Sequence, residues 1–139
     1  MAKTITVSAT VHAPIAKVWE AWNKPEHIVQ WAFASDDWEA PAAENDLKVG
    51  GRFKTTMAAK DKSAMFDLTG TYTAIREHEL IEYTMDGEDA RKVSTTFKQN
   101  GDTTDISTTF DMENENSVEM QRGGWQAILN NFKKHAESI

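Results

Sequence analysis

The chain has 139 residues and a mass of 15.6 kDa, enough to bury roughly two thirds of its unfolded surface around one core and short for two domains. Its 40% hydrophobic and 27% charged residues, with seven Gly and three Pro, exclude a disordered or collagen-like chain, and the lack of cysteine excludes disulfides, thiol nucleophiles, iron–sulfur clusters and cysteine-ligated zinc. A formal net charge of −7 with no Lys/Arg cluster argues against nucleic acid as a partner; no stretch reads as a signal peptide or membrane span, so a cytoplasmic protein without membrane insertion is expected.

Ile5, Val7, Ala9 and Val11 alternate with Thr4, Thr6, Ser8 and Thr10, which predicts a half-buried strand. Pro14 suits a first helical position, and Ile15, Val18, Trp19 and Trp22 share one helical face. Lys24-Pro25 ends that helix, because a residue before proline avoids the α region, and Pro25 opens a second short helix carrying Ile28 and Trp31 inward. Residues 32–46 show no clear period and read as a long loop with room for a short strand.

Beyond Gly50-Gly51, strands are predicted on the phases Phe53/Thr55/Met57, Phe66/Leu68/Gly70/Tyr72/Ala74, Ile81/Tyr83/Met85, Val93/Thr95/Phe97 and Ile106/Thr108/Phe110. Reversals fall at 60–63, at 77–79, at Asp86-Gly87 and at Asn100-Gly101, the last a strong hairpin signal, so the middle of the chain is an antiparallel meander. A long helix follows from about Ser117 to Glu137, on the order of 30 Å in length. Asn116 with Glu119 resembles a capping box; Glu113, Glu115 and Glu119 favour its amino end, and Lys133 and Lys134 its carboxyl end. Its apolar stripe is Trp125, Ile128, Leu129, Phe132 and Ala136. Gly123-Gly124 interrupts the pattern at about 1 kcal/mol per glycine relative to alanine, and implies close backbone approach, a bend or empty space.

This order of elements is solved by an α+β arrangement in which a curved antiparallel sheet of six to seven strands grips the C-terminal helix, with the two short helices closing one end. The segments APIAKVWEAW, PEHIVQW, DLKVGGRF, LTGTYTAI and QRGGWQAILNNF resemble, in the same order and nearly end to end, the family named after the activator of the heat-shock-protein-90 ATPase. That family lies in the START-like superfamily, with polyketide cyclases and plant pathogenesis-related proteins. The resemblance implies one START-like helix-grip domain over residues 1–139, with an internal apolar cavity. It also implies three functions among which fold alone does not choose: binding a small aromatic or lipid-like ligand, regulating a chaperone, or catalysing a cyclase- or hydrolase-like reaction. The resembled eukaryotic activators carry a further amino-terminal domain for which this chain has no room.

Trp19, Trp22 and Trp125 sit on helical faces and read as core. Trp31, Phe33 and Trp38 fall where the resembled fold would have its cavity mouth. Hydroxyls on the inward strand phase (Thr55, Tyr72, Tyr83, Thr95 and Thr108) need partners, which a ligand, a water or a neighbouring group could supply. The candidate ligand-binding set is therefore Trp31, Phe33, Trp38, Phe53, Thr55, Met57, Tyr72, Tyr83, Thr95, Phe97, Gly124, Trp125 and Leu129. His12, His27, His78 and His135 are dispersed and read as surface residues, and the acidic clusters Asp36-Asp37 and Asp86 to Asp89 lack calcium-loop spacing, so no metal or cofactor is expected. Asp67 and Asp105 fall on the outward phase, which leaves no obvious acid or base inside and no catalytic residue to assign. The expected partners are a small apolar ligand or, alternatively, a chaperone, with the chain a monomer or a weak homodimer through an exposed strand.

Overall fold

The computed structural model describes residues 4–87, 90–113 and 117–139. The elements run β1 (Thr4–Val11), α1 (Ile15–Asn23), α2 (Pro25–Trp31), β2 (Trp38–Asn45), β3 (Arg52–Ala59), β4 (Met65–Arg76), β5 (Leu80–Met85), β6 (Lys92–Asn100), β7 (Thr103–Asp111) and α3 (Val118–Ser138). The seven strands form one antiparallel sheet in the order β1-β7-β6-β5-β4-β3-β2, curled around α3 in a helix-grip-like α+β fold.

In β1 the alternation holds: Ile5, Val7 and Val11 are buried while Thr6 and Thr10 face out, bonded to Thr109 and Asp105 on β7 at 2.8 Å each. α3 runs along this strand, and its Gln126 and Lys133 donate to the backbone carbonyls of Ser8 and Thr10 at 3.0 and 2.8 Å. Those bonds occupy acceptors that an edge strand otherwise offers to a second chain. Among the described residues no helix is long and apolar enough to cross a membrane.

Several expected details change. Pro14 is not in the first helical turn but precedes it, with an extended backbone (φ −70°, ψ 154°). Lys24 is extended as its proline neighbour requires, and Pro25 does open α2. Most of the segment expected as loop is the eight-residue edge strand β2. Its alternation is broken by an irregularity between Glu39 and Ala42, around Pro41, and an edge strand is where a proline lacking its N–H is tolerated. A second irregularity, between Tyr72 and Ala74, shifts the phase of β4, so that Ile75 rather than Ala74 packs on the core, opposite Ile81. Phe66 is 50% exposed rather than inside, because the β3–β4 hairpin extends past the helix; it meets Trp38 edge-on.

The β6–β7 turn is displaced by one residue from its expected position. Asn100 pairs with Thr103, leaving Gly101-Asp102 as the two-residue loop, with Gly101 at φ +66°. α3 is capped by Ser117, whose hydroxyl accepts from the Met120 N–H at 3.1 Å. Asn116 of the expected capping box, Glu115 of the acidic residues expected at the amino end, and positions 88–89 of the second acidic cluster lie outside the described residues.

Candidate functional site

Two ends of the sheet's concave face are filled differently. Where α1 and α2 close it, Trp22, Trp31 and Phe132 meet at ring-centroid distances of 4.7 to 5.0 Å, and Phe97 adds edge contacts to Trp19 and Trp22. Phe132 is fully buried, and Trp31 Nε1–H donates to the Ala21 carbonyl at 3.0 Å, so the polar group of the Trp31 indole is satisfied. In the amino half of α3, Gly123 is exposed and Gly124 half-buried. An added Cβ at either glycine would meet nothing within 4 Å, so of the three expected explanations close backbone approach is ruled out and open space is found.

The space left between helix and sheet is a cavity of about 150 Å³. Phe53, Thr55 and Met57 of β3, Leu68 and Tyr72 of β4, and Ile81 and Tyr83 of β5 form one wall. Val7, Thr95 and Thr108 continue it, and Trp22, Asn23, Ile28, Trp31, Ala32, Asn45, Trp125, Ile128 and Leu129 close it from the helical side. Phe53 keeps its place because β4 carries glycine opposite it: a Cβ on Gly70 would lie 2.7 Å from the Phe53 ring and 2.8 Å from the Thr84 carbonyl oxygen. The freed ring stands edge-on to Tyr83 at 4.7 Å, and Trp125 stacks on Phe110 at 4.1 Å.

The inward hydroxyls divide into two groups. Thr95 and Thr108 bond to each other at 2.9 Å. Tyr72 Oη donates to Asn45 Oδ1, Asn45 Nδ2 donates to the Asn23 carbonyl at 2.7 Å, and Asn23 Nδ2 donates to the Trp19 carbonyl at 2.9 Å. This chain fixes both amide orientations, since each nitrogen has a carbonyl to reach. Thr55 and Tyr83, by contrast, have no side-chain hydrogen bond to protein among the described residues, although Thr55 is only 7% exposed. Burial pushes both tyrosine hydroxyls above the usual phenol range. The Asn45 bond partly offsets this for Tyr72; for Tyr83 the nearby Tyr72 adds to it and Arg91 opposes it. Both are protonated at neutral pH and act as hydrogen-bonding groups, not as bases.

Of the thirteen candidate residues, Trp31, Phe53, Thr55, Met57, Tyr72, Tyr83, Thr95, Trp125 and Leu129 come together on this cavity, and four do not. Phe97 is core, Phe33 lies at the α2 exit with its carbonyl accepting from Asn131, and Trp38 lies against Phe66 on the β2 side. Gly124 lines a separate, more open depression of about 230 Å³, which shares Trp125 and Ile128 with the cavity and holds the Arg91–Glu113 ion pair at 3.8 Å. There the buried Gln121 side chain braces the Glu113 backbone, accepting at 2.9 Å and donating at 3.2 Å. Trp31 is buried at the packed end rather than at a mouth.

Sequence reasoning missed Asn23 and Asn45. Asn45 was hidden because β2 has no readable alternation across its irregularity, and Asn23 because a polar residue beside Lys24-Pro25 reads as a helix terminus. Nor are all four histidines isolated: His27 Nδ1 and His135 Nε2 lie 2.9 Å apart across α2 and α3. Among the described residues no group of three His, Asp or Glu side chains is placed to hold a metal ion.

A curled antiparallel sheet gripping a helix over a mostly apolar cavity defines a START-like protein. The model of the "Activator of Hsp90 ATPase homolog 1-like protein" family matches residues 12–137, and the chain belongs to that family. A solution structure of an AHSA1-like protein from Aeromonas hydrophila is 40% identical, with 98% of this chain and 93% of that one covered and a TM-score of 0.90. Chr148 from Cytophaga hutchinsonii is 53% identical over 97% of this chain and 92% of that one, with a TM-score of 0.82. Protein CV1439 from Chromobacterium violaceum, at 22% identity, covers 97% and 98% with a TM-score of 0.87 and shares the fold. No curated protein matches the chain.

Proposed function

We propose that this protein binds a small, mainly apolar ligand in the cavity between the sheet and α3. The observation that carries the reading is a mostly apolar space of about 150 Å³ in which two hydroxyls have no hydrogen-bond partner among the described residues. A well-packed interior leaves few voids, and a dry cavity of about this size takes up benzene in another protein. The volume suits a single ring; a fatty acid, sterol or polyketide would need the walls to part, since pockets for larger ligands run to about 300 Å³ and above.

Thermal unfolding followed by tryptophan fluorescence, with single-ring aromatics, short fatty acids and polyketide mimics added in turn, tests the reading. Ligand at a hundredfold its Kd adds about 2.7 kcal/mol to the folded state, a shift of several degrees at this chain length. A saturable shift confined to one chemical class supports the proposal, and silence across all classes removes it. A second reading, regulation of the Hsp90 ATPase by protein contact, is favoured by the family match. Addition of the protein to the chaperone should then raise ATP turnover. A cyclase or hydrolase needs an acid or base at the substrate, and among the described residues no Asp, Glu, His, Lys or Arg side chain lines the cavity.

A further inference from the structure

We propose that the ligand is a neutral, single-ring aromatic bearing a hydroxyl group, which accepts a hydrogen bond from Tyr83 and donates one to Tyr72. The proposal rests on the cavity reading above and names the ligand class for that site.

Tyr72 and Tyr83 face each other directly across β4 and β5, with ring centroids 6.3 Å apart and planes at 89°. Their hydroxyls are in opposite states. The Tyr72 proton is committed to Asn45 Oδ1, because Asn45 Nδ2 is in turn committed to the Asn23 carbonyl. Tyr72 Oη therefore offers the cavity its lone pairs. Tyr83 Oη has no hydrogen-bond partner among the described residues and offers a hydrogen. A lone pair and a hydrogen on two paired residues that line one cavity are matched by one group that both donates and accepts, and a hydroxyl is that group. An ether or ketone could satisfy only Tyr83.

The rest of the site sets the body and the charge. Phe53 and Tyr83 present an edge-to-face aromatic corner at 4.7 Å, and Trp125 adds a flat wall held on Phe110. The lining contains no basic side chain to balance an anion. The neighbouring cation, Arg91, belongs to the adjoining depression and is paired with Glu113. A carboxylate entering this space would lose its hydration without a counter-charge.

Isothermal titration with p-cresol, its near-isostere p-xylene, 4-methylanisole and p-toluate tests the proposal on the wild type and on Tyr83→Phe and Tyr72→Phe. The wild type should prefer p-cresol to p-xylene by roughly three- to tenfold, with 4-methylanisole between them and p-toluate weakest. Tyr83→Phe should narrow the preference for p-cresol over p-xylene, since the bond to Tyr72 remains, and should bring 4-methylanisole to the level of p-xylene. Because the Tyr83 hydroxyl has no partner in the free protein, that variant should keep or raise the unliganded Tm, whereas Tyr72→Phe, which strands Asn45, should lower it. Equal binding of p-cresol and p-xylene by the wild type, a preference undiminished by Tyr83→Phe, or p-toluate binding as well as p-cresol would each overturn the ligand class while leaving the cavity reading intact. Failure of every compound, p-xylene included, would overturn the ligand class, and joined to silence from the fatty acids and polyketide mimics it would overturn the cavity reading as well.

Discussion

The two ends of the concave face are built from the same alternating strands and the same helix, yet one is solid and the other hollow. At the solid end, Trp22, Trp31, Phe97 and Phe132 interlock because α1, α2 and the carboxyl half of α3 all supply rings to one volume. At the hollow end, β3–β5 supply Phe53, Tyr72 and Tyr83, and the side chains that α3 returns, Trp125, Ile128 and Leu129, leave a space of about 150 Å³ between them. Apolar periodicity determines which residues point inward. Whether the inside is filled depends on what a second element brings to the same place.

The comparison can be broken most forcefully at Phe132, which is fully buried. Phe132→Ala should cost about 3–5 kcal/mol, seen as a lower denaturant midpoint with a native circular-dichroism spectrum below the transition. A cost no larger than that of an exposed substitution would mean that the aromatic cluster is not the structural anchor. A matched pair of enlargements sharpens the contrast. Ala136→Leu, at a site with no exposed surface, should cost about 1–3 kcal/mol through overpacking. Thr55→Leu, which points into the cavity, should lie between neutral and about 1 kcal/mol stabilising, and it should reduce ligand-induced thermal shifts. Equal destabilisation by both would show the hollow end to be as tightly packed as the solid one.

The smallest effect concerns pH. Burial, and secondarily the adjacent His27, hold the His135 imidazole below its ordinary value. The unfolded chain therefore binds more protons at this site, so the contribution is intact above the unfolded pKa near ~6.5 and is lost as pH falls through the lower folded value. A modest fall in Tm below about pH 6.5, reduced in His135→Gln, is expected. Because α2 carries both His27 and the cavity residues Ile28 and Trp31, a ligand-induced shift should weaken over the same range.

The order of elements, the inward phases of β1, β3, β5, β6 and β7, the break at Lys24-Pro25 and the stripe of α3 follow from local rules, since each rests on spacing along a few residues. Phase was lost where an extra residue enters a strand. The irregularities near Pro41 and Thr73 changed the reading of β2 and moved the inward position from Ala74 to Ile75. Spacing also brought nine of the candidate residues to the cavity, because a curled sheet gathers everything on its concave phase.

What spacing could not supply is pairing between distant residues. The chain from Tyr72 through Asn45 and Asn23 to the Trp19 carbonyl joins three elements, β4, β2 and α1. His27 meets His135 across 108 positions of sequence. The sequence by itself determined that Tyr72 and Tyr83 would face inward. Only the tertiary structure decided that one of them has a partner and the other does not, because a buried hydrogen bond depends on which side chains the fold brings within about 3 Å, and no local pattern encodes that distance.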